Sequence, residues 1–139
     1  MSEYKRTVVL VDDNQTSRKF FLRAIENLSV DLKTYGNTDD AIEYLKYNNP
    51  SLLFLKIIMP DKNGLTFLEE LRKLPLHSDT RVIMITSKDY SQDRTIASEL
   101  GALDFIVKPM SMRSITSIML DYIKSVSYTH LTLPTNREV

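Results

Sequence analysis

Thr7-Val8-Val9-Leu10-Val11-Asp12-Asp13 is the stretch that decides the fold. A β-branched run without polar alternation reads as a strand buried on both faces. The abrupt change to two acids marks the end of that strand. Leu52 to Ile57 (LLFLKI) is a second run of the same kind, broken only by Lys56. Arg81 to Thr86 (RVIMIT) and Asp104 to Val107 (DFIV) are two more, and Leu32 to Tyr35, closed by Gly36, is a weaker one.

Between the strands the apolar residues change to helical spacing. Ser17, Phe20, Phe21, Ala24, Ile25 and Leu28 form one stripe, and Ala41, Ile42 and Leu45 a second, opened by Asn37 to Asp40 and stopped at Asn49-Pro50. Leu65 to Leu74 carries Phe67, Leu68, Leu71 and Leu74 on one side and ends at Pro75. Asp93 to Leu100 is a helix stopped by Gly101, a residue suited to a left-handed cap. Ser111 caps a last helix with Ile115, Ile118, Met119, Tyr122 and Ile123. Strands alternating with helices imply βαβ units, hence an α/β, doubly wound, five-stranded parallel sheet covered on both faces.

The chain has 139 residues, 42% hydrophobic and 26% charged, which suits one globular domain. Its 18 basic and 18 acidic residues give no bulk field toward nucleic acid or an acidic membrane, so direct contact with either is not expected. Without cysteine there is no disulfide framework and no thiolate chemistry. The apolar runs are too short to span a bilayer, and MSEYKR lacks a signal-peptide core, so a cytoplasmic location is expected. Residues 1–125 are expected to form the domain. Val126 to Val139 (VSYTHLTLPTNREV) shows no helical period and is expected to be a disordered, non-native tail similar to translated cloning sequence.

In open α/β sheets, ligands bind beyond the carboxyl ends of the strands, where the strand order reverses. Those ends carry Asp12-Asp13, Lys56, Thr86-Ser87 and Lys108-Pro109. There is no G-x-G-x-x-G and no Walker loop, and the loop after the first strand (DNQTS) is not a glycine-rich phosphate cradle. Dinucleotide, P-loop and flavodoxin chemistry are therefore disfavoured.

The segments VVLVDDN, LLFLKIIMPDKNG, VIMITS and GALDFIVKPM resemble, in order and spacing, the motif blocks of bacterial response-regulator receiver domains. The resemblance covers Lys5 to about Lys124 and implies a flavodoxin-like three-layer sandwich with strand order 2-1-3-4-5. It implies a magnesium site formed by Asp12, Asp13 and the carbonyl of Ile58. Thr86 matches the hydroxyl that meets a phosphoryl oxygen, and Lys108 matches the lysine that neutralises it. Pro109 matches a proline often preceded by a cis bond, and Phe105 an aromatic switch that is usually tyrosine. With phenylalanine there, the switch is expected to be purely steric. Asn63-Gly64 falls on a turn before the third helix and suits glycine's freedom at positive φ.

Lys56 stands where the family has its phosphate-accepting aspartate. An acyl phosphate needs a carboxylate nucleophile, which a protonated ammonium does not replace. In place of three aspartates and one lysine, the pocket has two of each and no net charge. Lys56 is therefore expected to pair with Asp12, Asp13 or both at about 2.7–3.2 Å, taking the place of the cation and weakening magnesium binding. The expected function is that of a two-component phosphorelay receiver unable to accept phosphate at Lys56. It would act as a non-enzymatic pseudo-receiver that binds a sensor kinase or downstream protein. The contact face would be the fourth helix, fifth strand and fifth helix, including Tyr90 and Phe105. The alternative is an active magnesium-dependent receiver using Ser87, Thr86 or Asp61 as acceptor.

Overall fold

In the computed structural model, which describes residues 5–123, strand β1 (Arg6–Val11) lies inside a five-stranded parallel sheet. Its neighbours are β2 (Val30–Tyr35) and β3 (Leu52–Lys56), followed by β4 (Val82–Thr86) and β5 (Asp104–Val107), giving the order β2-β1-β3-β4-β5. The inner strands are apolar throughout because both faces are covered. Val9, Val11, Leu53, Leu55, Val82 and Met84 point to one layer; Val8, Leu10, Leu52, Phe54, Ile83 and Ile85 point to the other. All twelve side chains are fully buried. Each contributes on the order of 1.5–3 kcal/mol relative to exposure, so register is strongly specified.

The first layer packs against α2 (Thr38–Leu45), α3 (Gly64–Arg72) and α4 (Ser91–Glu99), through Ala41, Leu45, Leu68, Leu71 and Ala97. The second packs against α1 (Gln15–Ala24) and α5 (Met112–Tyr122), where Phe21 meets Phe54 edge-on at 4.9 Å. Three of the helix starts have asparagine caps: Asn14, Asn37 and Asn63 accept from the backbone N–H of Ser17, Asp40 and Leu65.

Several boundaries differ from the sequence reading. Helix α1 stops at Ala24, and Leu28 is buried beyond it, because the chain turns through Glu26 and Asn27 to enter β2 at Val30. Helix α3 ends at Arg72, before the expected Leu74. Leu74 precedes Pro75 and is pushed to extended backbone (φ −85, ψ 126), and Pro75–His77 form a short 3-10 turn. Helix α4 begins at Ser91, two residues before Asp93. Gly101 is left-handed (φ 83) as expected, whereas Gly64 has no positive φ. Gly64 is required for space: a Cβ there would lie 2.1 Å from the backbone oxygen of Lys56. The segment Val126 to Val139 lies outside the described residues.

Candidate functional site

The reversal of strand order between β1 and β3 brings the ends of both strands to one crevice. Asp12 leaves β1 fully buried (0% exposed), with its backbone N–H still donating to Tyr35 O at 3.0 Å. A buried carboxylate must be paired to be tolerated. Asp12 Oδ1 accepts from the Asn14 N–H at 2.9 Å, and Oδ2 accepts from the Lys108 ammonium at 2.9 Å. Lys108 is held there by a second bond, to Ser17 Oγ at 2.8 Å.

Lys56, at the last position of β3, turns toward the same acids. Its Nζ donates to Asp13 Oδ1 at 2.8 Å and stands 3.8 Å from Asp12 Oδ1. The side chains of Lys56, Asp13 and Lys108 are 16%, 30% and 18% exposed, so the pairs are partly shielded from solvent. Gly64 fixes the crevice floor from below. Its N–H donates to Ile57 O at 2.7 Å while its bare Cα lets α3 press on the carbonyl of Lys56.

Thr86 ends β4 fully buried, and its hydroxyl is engaged within its own loop: it accepts from Lys88 N–H and donates to Lys88 O, both at 3.1 Å. Ser87 is exposed and lines a cleft of about 410 Å³ with Ser17, Phe20, Lys108, Pro109 and Met110. Asp61 is tied to the start of α2, where Oδ2 accepts from Thr38 N–H at 2.9 Å and Thr38 Oγ1 at 2.7 Å. Burial would raise its pKa, but the Thr38 hydrogen bonds prevail and hold it below the ordinary carboxylate value. Ile58 is exposed on the loop after β3, and the Lys108–Pro109 bond is cis.

Phe105 on β5 is half-buried, and the Arg94 guanidinium lies over its ring, 4.6 Å from the centroid. The ring thus has a cationic partner in addition to its packing contacts. Two residues with a role in the crevice were not singled out by the sequence reading. Ser17 was placed on the apolar stripe of α1, yet its hydroxyl serves Lys108. Arg18 donates through Nη1 to the carbonyl of Asp12 at 2.8 Å, adding a third cation beside the acids. A cation in the first turn of a helix opposes the macrodipole, and that was the available clue.

Magnesium takes about six oxygen ligands in near-octahedral geometry, usually one or two carboxylates completed by waters, so those carboxylates must be free to turn toward it. Here both Asp12 oxygens and Oδ1 of Asp13 are already engaged by ammonium or amide groups. Among the described residues, no group of three or more His, Cys, Asp or Glu is placed to hold a metal. As folded, this donor set does not fit magnesium. No helix among the described residues is long and apolar enough to cross a membrane.

Comparison with known proteins identifies the family and the fold. The response regulator receiver domain family model matches residues 8–120. The cyclic di-GMP phosphodiesterase response regulator RpfG of Xanthomonas campestris pv. campestris is 36% identical over 110 residues, covering 78% of this chain and 29% of the relative. The transcriptional regulatory protein SrrA of Staphylococcus aureus is 31% identical over 108 residues, covering 78% of this chain and 44% of SrrA. The chain thus spans half or less of the length of these relatives. In fold it is similar to the phosphorylated cyanobacterial phytochrome response regulator RcpA, with a TM-score of 0.80 at 18% identity, over 91% of this chain and 100% of that one. With the family model extending from β1 into α5, the chain belongs to the response regulator receiver domain family of two-component signalling.

Proposed function

We propose that this receiver does not take up a phosphoryl group at position 56 and works as a pseudo-receiver, a non-enzymatic protein-binding module with a fixed pocket. One observation carries the reading: the Lys56 ammonium lies 2.8 Å from Asp13 and 3.8 Å from Asp12, the two acids that would hold a receiver's cation. The ammonium is tethered and competes at high effective concentration, so magnesium binding is weak or absent. Asp12, Asp13 and the carbonyl of Ile58 are the residues that would hold the metal if Lys56 were withdrawn.

The substitute acceptors have little support. The Thr86 hydroxyl and Asp61 Oδ2 are committed to other partners. Ser87 faces an apolar cleft and has no base beside it among the residues lining it. The partner, a sensor kinase or a downstream protein, docks on α4, β5 and α5, where Tyr90 and Phe105 are placed. Residues 1–125 are the receiver unit, acting in the cytoplasm without direct nucleic-acid contact, and 126–139 is a non-native tail. The balanced charge supports the absence of direct nucleic-acid contact.

The test is incubation of the full chain with a small phosphodonor and magnesium, followed by intact-mass measurement and mapping. The reading expects no phosphoryl increment. A phosphoryl adduct that maps to any residue of this crevice would falsify it.

A further inference from the structure

Phe105 packs inward against the α2–α4 core layer, and its outer side lies under Arg94 of α4. The guanidinium is also held by Asp89, fork to fork: Nε donates to Oδ1 at 2.6 Å and Nη2 to Oδ2 at 3.1 Å. Asp89 directly follows Lys88, whose backbone N–H and carbonyl both bond the Thr86 hydroxyl. An unbroken series of contacts thus leads from the end of β4, in the crevice, to the aromatic ring on β5. From this series we infer that Arg94 is a positioning residue that couples the loop after β4 to Phe105.

An exposed ion pair contributes little energy, so its value here is geometric. The planar two-bond fork to Asp89 fixes where the guanidinium sits over the ring, which a single-point ammonium does less well. If the Thr86 hydroxyl leaves Lys88, the loop bearing Asp89 is freed. Arg94 then loses its anchor, and the ring loses its cation. Phenylalanine has no hydroxyl to report such a change, and the cation over its face supplies the missing link. A direct route also exists, because Met84 pairs with Phe105 in the β4–β5 ladder. The experiment must separate the two routes. The inference does not depend on whether position 56 accepts phosphate.

The test is side-chain NMR on the full chain. The Arg94 δ-methylene protons are expected upfield of those of the other arginines, and Phe105→Leu is expected to abolish that displacement. Thr86→Val removes the hydroxyl and keeps the shape, and is expected to shift the Phe105 ring resonances. In an Arg94→Gln background the same change is expected to produce less than half that shift. Thr86 is buried, so Asp89→Asn, on the exposed loop, serves as a second perturbation. It is expected to move Phe105 when Arg94 is present and to leave it in place in Arg94→Gln. Arg94→Lys keeps the charge and is expected to restore only part of the coupling. Equal Phe105 shifts with and without Arg94 would overturn the inference and assign the coupling to the strand ladder. Arg94 δ-protons at ordinary positions would overturn it as well.

Discussion

Gly64 offers a perturbation whose sign depends on what the glycine is for. If it served a turn at positive φ, asparagine would be a mild replacement, since it tolerates that region. The structure gives another reason: a Cβ at this position meets Lys56 O at 2.1 Å, Lys56 C at 2.9 Å and Ile57 Cα at 3.0 Å. All three are backbone atoms of a buried strand end and its continuation, so no side chain can move aside. Either α3 must shift outward by roughly an ångström or the 2.7 Å bond from Gly64 N–H to Ile57 O must break. Overpacking of this kind costs about 1–3 kcal/mol. A lost hydrogen bond adds about 1 kcal/mol. Alanine's helix preference over glycine returns at most about 1 kcal/mol. The net expectation for Gly64→Ala is a loss of about 1–3 kcal/mol, a fall in Tm of roughly 4–12 °C for a domain of this size. Gly64→Asn should be at least as damaging. Urea unfolding with thermal melts measures both. A neutral or stabilised alanine variant, or an asparagine variant clearly milder than alanine, would refute the close-approach argument.

Arg72 ties α3 to two other elements, donating to the carbonyls of Leu100, His77 and Thr80 at 2.8–2.9 Å and to Gly101 at 3.3 Å. Arg72→Ala strands these acceptors and is expected to cost about 2–4 kcal/mol in urea unfolding, from several lost bonds at roughly 1 kcal/mol each. A loss under about half a kcal/mol would mean that water replaces the guanidinium. The Arg94–Asp89 pair makes a pH prediction. The hydrogen bond from Arg94 lowers the Asp89 pKa below its ordinary value of 3.8. Asp89 therefore contributes fully above pH 3.8, and the contribution is lost only as pH falls through the lowered value. The upfield Arg94 protons should persist down to that point. Their loss well above it would show that the pair does not hold the ring contact.

The fold was legible because the inner strands carry no polar alternation. TVVLV, LLFLK and VIMIT can only be covered on both faces, and β5 was placed at its observed bounds. The ends of α1 and α3 were less legible. Leu28 and Leu74 continue the apolar spacing past the last helical turn, and tertiary packing takes them without the helix. At the site, the convergence of Asp12, Asp13, Lys56 and Lys108 was legible from the strand ends together with the order 2-1-3-4-5 that the resemblance implied, and a pairing of Lys56 with Asp12, Asp13 or both from charge. The division of labour between the two lysines was not. Asp12 goes to Lys108 because Ser17, one turn into α1, supplies that ammonium with a second acceptor. A contact between residues ninety-one positions apart leaves no local pattern. Gly64 was misread for a similar reason: sequence shows that a glycine is present but not whether φ or space requires it.

If the Lys56 ammonium takes the place of a metal, its replacement by a carboxylate must restore metal binding. Calorimetric titration of magnesium into the full chain and into Lys56→Asp tests this most directly. Two unit charges about 4 Å apart interact by about 4 kcal/mol at an effective dielectric of 20. Replacing a cation by an anion beside the acid pair therefore gives a large difference even after partial solvent screening. Magnesium binding by the wild type is expected to be at least about a hundredfold weaker than by Lys56→Asp, some 2.7 kcal/mol. The variant, and not the wild type, is expected to gain a phosphoryl increment from a small donor. Equal magnesium affinity in the two proteins would contradict this role of Lys56, since the ammonium would then stand aside and leave the acids open.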